Sequence, residues 1–237
     1  MIVTEAPDPI KDGAFSYRNK EKAMYELPYY KEPNGDIIKQ FIKENPFGLI
    51  AGCDENNKPV ATQIPVLIEQ RNEKLYMVGH MMRSTDHHKA FEKNPNVLVV
   101  FTGHHTYVSA TWYSDPHQAS TWNYMSVQVK GAIRFLDELG LAAILTKTTL
   151  HFENGNKEST TIFDNLPDQY KNPLMKAIVG FEIEVHEINH VFKLSQDRDA
   201  KSYENIKERL KEQGEAGQAI AAEMEKRTRE VFPDDKK

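Results

Sequence analysis

One cysteine, Cys53, stands in 237 residues. A lone cysteine excludes a disulfide framework and any Cys-rich zinc site. No apolar run approaches the ~20 residues that a bilayer crossing needs. The opening stretch, MIVTEAPDPIKDG, has neither a basic start nor an apolar centre. No signal peptide is therefore expected, and a cytoplasmic location is the default. Positive charge is not in excess either: 30 Lys and Arg stand against 35 Asp and Glu, a formal net charge of −5. A chain that grips nucleic acid along its whole surface is usually basic. Also missing are a Gly-rich P-loop, a GxSxG elbow, internal repeats and low-complexity tracts. Cys53 follows an apolar run and reads as core rather than nucleophile.

What remains is the composition of a soluble globular chain, 39% hydrophobic and 27% charged, long enough for one good-sized core. Residues 1–23 mix Pro, Asp, Lys and Gly without periodicity and read as an extension. Asp36 reads as a helix cap ahead of Ile37, Ile38, Phe41 and Ile42 at helical spacing. Asn45-Pro46 ends that helix. Then the period changes. Phe47–Cys53, Val60–Glu69 and Lys74–Gly79 read as strands joined by polar turns. A helix is expected over His87–Lys93, stopped by Asn94-Pro95, and a buried strand over Val97–Phe101. Met125–Phe135 alternates as a strand, a helix begins at Asp137, and Pro167 opens another with Tyr170, Leu174 and Ile178 inward. Gly180–Gln196 returns to alternation. The charged tail reads as two helices broken near Gly214-Glu215. Short antiparallel strands with separate helices predict a mainly β fold with flanking helices, a barrel or sandwich rather than alternating βαβ units. The expected division is an extension over 1–23, a barrel domain over 24–199 and a helical tail over 200–237.

Three stretches carry chemistry. In Gly79–Pro95 a strand ends at Gly79-His80, Arg83, Ser84 and Thr85 follow, and a helix starts at once. A helix N-terminus offers unpaired N–H groups and a partial positive charge. Two hydroxyls and a guanidinium beside it suit a terminal phosphate. The plainer alternative is that Thr85 or Asp86 merely caps the helix and Arg83 is solvated. In Trp112–Gly131 both tryptophans, Trp112 and Trp122, lie with Tyr113, Tyr124, Thr121 and Asn123 in what reads as a loop. Such a loop could stack on a flat ring, or fold its aromatics into the core. In Ala61–Pro65 a proline within a strand marks an edge, where a ligand can reach the backbone.

The histidines cluster: His80, His87, His88, His104, His105 and His117 fall in one third of the chain. Adjacent pairs point in different directions, so a shared metal ion is a minority reading. His186–His190 matches the HExxH pattern of zinc proteases, which needs a helix. Here it sits in strand-like alternation, and the match is rejected. No metal site is expected.

Taken in order, MYELPYY (Met24–Tyr30), FIKENPFGLI (Phe41–Ile50), ATQIPVLIE, the GH…R segment, VLVVFTGHHTYVSATWY (Val97–Tyr113), STWNYMSVQVKG and FKLSQDRD (Phe192–Asp199) resemble the PaiB family. That family is described as FMN-binding negative transcriptional regulators, within the FMN-binding split-barrel group of pyridoxamine-phosphate oxidase and flavin reductases. The resemblance covers roughly Met24 to Leu210. It implies a Greek-key split barrel that forms a homodimer with FMN at the interface. Arg83, Ser84 and Thr85 would hold the phosphate, after His80. Thr62, Gln63, Ile64 and Pro65 would lie beside the isoalloxazine. Trp112, Thr121, Trp122 and Asn123 would reach the flavin from the partner subunit. The chain departs from the family pattern at Gln63, where His is usual, and at Ser120, where Pro is usual. It departs again at Ser84–His88, where the family run ends in Trp.

Function then divides by class. As a regulator the chain would affect transcription, although its acidity and the lack of a clear helix-turn-helix argue against direct DNA binding. As an enzyme it would be an FMN-dependent oxidoreductase acting on a small substrate, with His80 and Tyr113 as acid–base candidates. A third reading, from the histidine content, is haem binding.

Overall fold

The computed structural model describes residues 27–233. The extension expected over 1–23 lies outside them. The chain forms helix α1 (Gly35–Glu44), strands β1 (Phe47–Cys53), β2 (Pro59–Pro65), β3 (Leu67–Arg71) and β4 (Lys74–Met82), then α2 (Asp86–Lys93). β5 (Asn96–Val108) and β6 (Thr121–Phe135) follow, then α3 (Glu138–Phe152), α4 (Asp168–Ala177), β7 (Ile178–Lys193), α5 (Ala200–Lys211) and α6 (Glu215–Val231). The strands make one sheet in the order β2-β1-β5-β6-β7-β4-β3, antiparallel throughout.

That order dictates the shape. β2 and β3 are the two outer strands, yet Val66 alone separates them in sequence. A flat sheet cannot satisfy this, so the sheet curls until its edges meet, giving the split barrel expected. Val60–Glu69 was expected to be one strand; it is two, broken at Val66. Pro65 lacks the N–H a continuing ladder needs. Val66 instead turns inward, 1% exposed, and donates its N–H to Pro46 O at 2.8 Å.

The central strands are longer than their apolar runs suggested. β6 starts at Thr121, so Thr121–Tyr124 is strand and not loop. Its register against β7 shifts between Lys130 and Gly131. A Cβ on Gly131 would lie 2.2 Å from Glu184 O, so only glycine fits this crossing. Asn34, not Asp36, caps α1, its side chain accepting from the Asp36 N–H. α4 departs furthest from expectation. Tyr170 and Leu174 are 57% and 46% exposed, and Ile178 opens β7 instead of closing the helix. The helix is amphipathic, but no element among the described residues buries Tyr170 or Leu174.

One apolar core fills the curl. Phe101, Val127, Val129, Phe181 and Ile183 are fully buried within it, with Phe41 and Ile42 from α1. Tyr203, Ile206 and Leu210 of α5 and Ile220, Ala221 and Met224 of α6 belong to the same cluster. Tyr203 donates its hydroxyl hydrogen to Met224 O at 2.8 Å, tying the two helices together.

Candidate functional site

The turn between β4 and α2 is held from several sides. The Arg83 N–H donates to Ala177 O at 2.8 Å, which fixes it against the end of α4. Ser84 has φ +61°, in the left-handed region that non-glycine residues enter at a cost. Its N–H points to His88 Nδ1 at 3.4 Å. Thr85 caps α2, its hydroxyl oxygen accepting the His88 N–H while the hydroxyl donates to Met82 O at 3.1 Å. The capping alternative therefore holds for Thr85, and the anion alternative is not displaced by it. The Arg83 guanidinium and the Thr85 N–H have no partner among the described residues, while the Asp86 N–H faces its own carboxylate. A helix N-terminus offers N–H groups and a partial positive charge to an anion. This donor set fits a phosphate.

Asp86 is the one acidic group at the turn. Its carboxylate accepts from its neighbour's N–H at 2.8 Å and lies 3.1 Å from His87 Nδ1, contacts that hold its pKa low. His80, half-buried near the end of β4, has its pKa lowered by desolvation.

β2 runs close by. A Cβ on Gly79 would meet Pro65 O at 2.9 Å, so β4 passes directly under the end of β2. α2 also packs on β1 and β2. Strand alternation splits the four β2 candidates between two faces. Thr62 pairs with the buried Ile50, and Ile64 with Gly48, which abuts Phe101, so both face inward. Gln63 and Pro65 face out. Gln63, Leu49, Val100 and Gln128 form one row across four strands. On this outer face Phe47 is 61% exposed and Leu49 36%. A cleft of about 510 Å³ opens there, between Gln63, Phe47, Leu49, Val100, Thr102 and Asn45.

The second group of candidates lies elsewhere. Arg83 joins the β7 end that pairs with Phe135, whereas Thr121 and Trp122 start β6. Fourteen steps of strand, about 45 Å along its path, separate the two ends. One chain does not bring the groups together. Trp122 is 51% exposed and rests edge-on to Tyr107, with ring centroids 6.3 Å apart. His105 lies beside it at 5.6 Å. Thr121 Oγ1 accepts from Lys193 Nζ. Trp112 packs partly buried against the core, and its carbonyl accepts from Asn205 Nδ2 at 3.1 Å. Asn123 is fully buried: Ser195 donates to its Oδ1 at 3.0 Å and its amide faces Met224 Sδ. Asn123 thus ties β6 to α6 rather than facing the outer surface. Ser120 Oγ accepts the Ala110 N–H at 3.0 Å.

The HExxH match falls on β7, where a spacing of four residues spans about 13 Å. His190 Nε2 accepts the Glu32 N–H at 2.8 Å, and burial lowers its pKa. No cluster of three or more His, Cys, Asp or Glu suited to a metal occurs among the described residues. Sequence reasoning missed the outer-face residues Phe47, Leu49 and Val100 and the aromatic partner Tyr107. Their alternation was visible, but nothing in it said which face stays uncovered.

Comparison with known proteins settles the family. A family model described as "Putative FMN-binding domain" matches residues 24–187. The chain belongs to this FMN-binding domain family. It is also 33% identical over 201 residues to Protease synthase and sporulation protein PAI 2 of Bacillus subtilis, covering 85% of this chain and 96% of that one. The PaiB resemblance read from the sequence is thereby borne out. An uncharacterised Aspergillus fumigatus protein, AFUA_5G13800, is 25% identical over 254 residues, covering 86% of this chain and 97% of that one. Among solved structures, the FAD and haem binding protein of Mycobacterium smegmatis superposes with a TM-score of 0.53 at 15% identity, covering 68% of this chain and 72% of that chain. At that identity the likeness shows the fold alone. No helix among the described residues is long and apolar enough to cross a membrane.

Proposed function

We propose that this chain is a cytoplasmic flavoprotein that holds FMN at the interface of a homodimer and acts as a PaiB-type regulator. The observation that carries the reading is the β4–α2 turn, where an exposed Arg83 and a Thr85 N–H, neither with a partner among the described residues, lie next to a helix N-terminus. Arg83, Ser84 and Thr85 hold the phosphate, and His80 lies beside them. Gln63 and Pro65 meet the isoalloxazine from the outer face, with Thr62 and Ile64 supporting the strand from within. Trp122 and Thr121 reach the flavin from the partner subunit, set in place by Trp112 and Asn123. The dimer is supported by the exposed Phe47 and Leu49 on the outer face and by the separation of the two candidate groups within one chain. An exposed apolar sheet face of this kind marks an association surface.

Regulation by direct DNA contact has little physical support. α5 and α6 are joined by a short turn, but the first half of α6 carries Glu215 and no basic residue. A recognition helix reads DNA with that half. The regulatory effect is indirect. A second reading, an FMN-dependent oxidoreductase, is favoured by the open cleft beside Gln63, which leaves room for a small substrate. FMN, when bound, supplies hydride or electron transfer.

The test is the absorbance spectrum of the purified protein and its titration with FMN. An oxidised-flavin band near ~450 nm and a 1:1 FMN stoichiometry per chain are expected. Protein that cannot be loaded with FMN overturns the reading, and a Soret band on haem titration would replace it. Steady-state NADH or NADPH oxidation separates enzyme from regulator, and a salt-dependent gel shift with defined promoter DNA separates direct from indirect action.

A further inference from the structure

We infer that His88 is a positioning residue for the phosphate turn, acting as a neutral acceptor that keeps Ser84 in its left-handed conformation; the inference rests on the FMN reading above. His88 is 7% exposed, in the first turn of α2, and its ring is edge-on to Phe135 with centroids 4.6 Å apart. Packing therefore fixes where its nitrogens point. Nδ1 faces the Ser84 N–H at 3.4 Å. Only a ring with a lone pair on Nδ1 accepts that hydrogen bond, so the working tautomer carries its proton on Nε2. Nε2 lies 3.9 Å from a Glu92 carboxylate oxygen, an orientation that favours this tautomer. The other charged groups around the ring are Arg83, His87 and Lys89, and burial lowers the His88 pKa. All three oppose a proton on it, Glu92 favours one, and the net shift is downward.

The consequence is geometric. Ser84 at φ +61° is unfavourable for an L-residue with a Cβ, and the His88 contact offsets that cost. With Ser84 held, the Thr85 N–H stays at the start of α2, near Arg83 in the chain. Without it, Ser84 relaxes to negative φ and the donors diverge. His88 does not touch the phosphate. It sets the discrimination between a flavin that carries one and a flavin that does not.

The test compares FMN with riboflavin, which lacks the phosphate, by fluorescence titration of the full chain. His88→Leu removes the acceptor and keeps the bulk. FMN affinity falls by about five- to tenfold, the scale of one neutral hydrogen bond, while riboflavin affinity is unchanged. His88→Asn restores FMN affinity, because its Oδ1 occupies the place of Nδ1. His88→Gln, equally polar, puts its amide where Nε2 lies and behaves as the leucine variant. The Asn and Gln pair decides the matter if the leucine variant does not fold. Equal loss for FMN and riboflavin, or equal behaviour of Asn and Gln, overturns the role of His88. A wild type that prefers riboflavin, or binds neither flavin, overturns the FMN reading instead.

Discussion

Arg83→Ala is the sharpest perturbation of the phosphate turn. The side chain is exposed and pairs with nothing among the described residues. Its removal therefore leaves no orphaned charge and opens no cavity. Its backbone contact with Ala177 does not depend on the side chain. The melting temperature should move by less than about 1–2 °C, as for a surface substitution. FMN affinity is a different matter. A guanidinium–phosphate contact is charge-assisted and worth about 1.5–3 kcal/mol. That corresponds to a loss of roughly ten- to 150-fold. Solvent exposure puts the expectation in the lower half of that range. Arg83→Lys keeps the charge but loses the planar fork, and falls between. The assay is flavin fluorescence quenching with FMN and riboflavin at two salt concentrations. FMN binding by the wild type weakens with salt more steeply than binding by the alanine variant, and riboflavin separates them little. Unchanged FMN affinity in Arg83→Ala would mean that the phosphate lies elsewhere and that the exposed arginine is merely solvated.

Three further outcomes follow from the packing. Gly131→Ala forces a Cβ to within 2.2 Å of Glu184 O at the β6–β7 shift, so stability drops by about 3 kcal/mol or more, read by urea denaturation. A chain ending at residue 199 loses Tyr203, Ile206, Leu210 and Met224 from the shared core, so it no longer unfolds cooperatively in calorimetry. Asp199 caps α5 by accepting from Ser202, whose hydrogen bonds lower its carboxyl pKa. The folded state therefore binds a proton less readily than the unfolded one. Asp199 adds stability above about pH 4, the unfolded value, and that contribution fades as the pH falls through the folded one. Asp199→Asn flattens this part of the stability curve, and an unchanged acid slope would refute the cap's share.

The sequence by itself determined the local elements. Alternation between Phe47 and Phe135 marked an antiparallel sheet because side chains in a strand repeat every two residues. Asn94-Pro95 and Asp137 marked helix ends because caps and prolines act over a single turn. The strand–turn–helix around Arg83 was legible for the same reason: its donors all come from neighbouring residues. The Ser84–His88 run stood out as a departure, but the Nδ1 contact behind it depends on the ring packing against Phe135, from a distant strand. Tertiary structure alone decided the rest. Pro65 stops the ladder at Val66, and closure of the sheet sent the halves of Val60–Glu69 to opposite edges. Alternation gave β2 two faces; the packing of Ile50 and Phe101 determined that Gln63, not Thr62, faces outward. The pattern of α4 predicted an inward face, and among the described residues the fold leaves Tyr170 and Leu174 exposed. Strand pairing put Arg83 and Trp122 at opposite ends of β6, which no reading of nearby residues can foresee. Periodicity records what a segment can bury, and only long-range pairing settles what covers it.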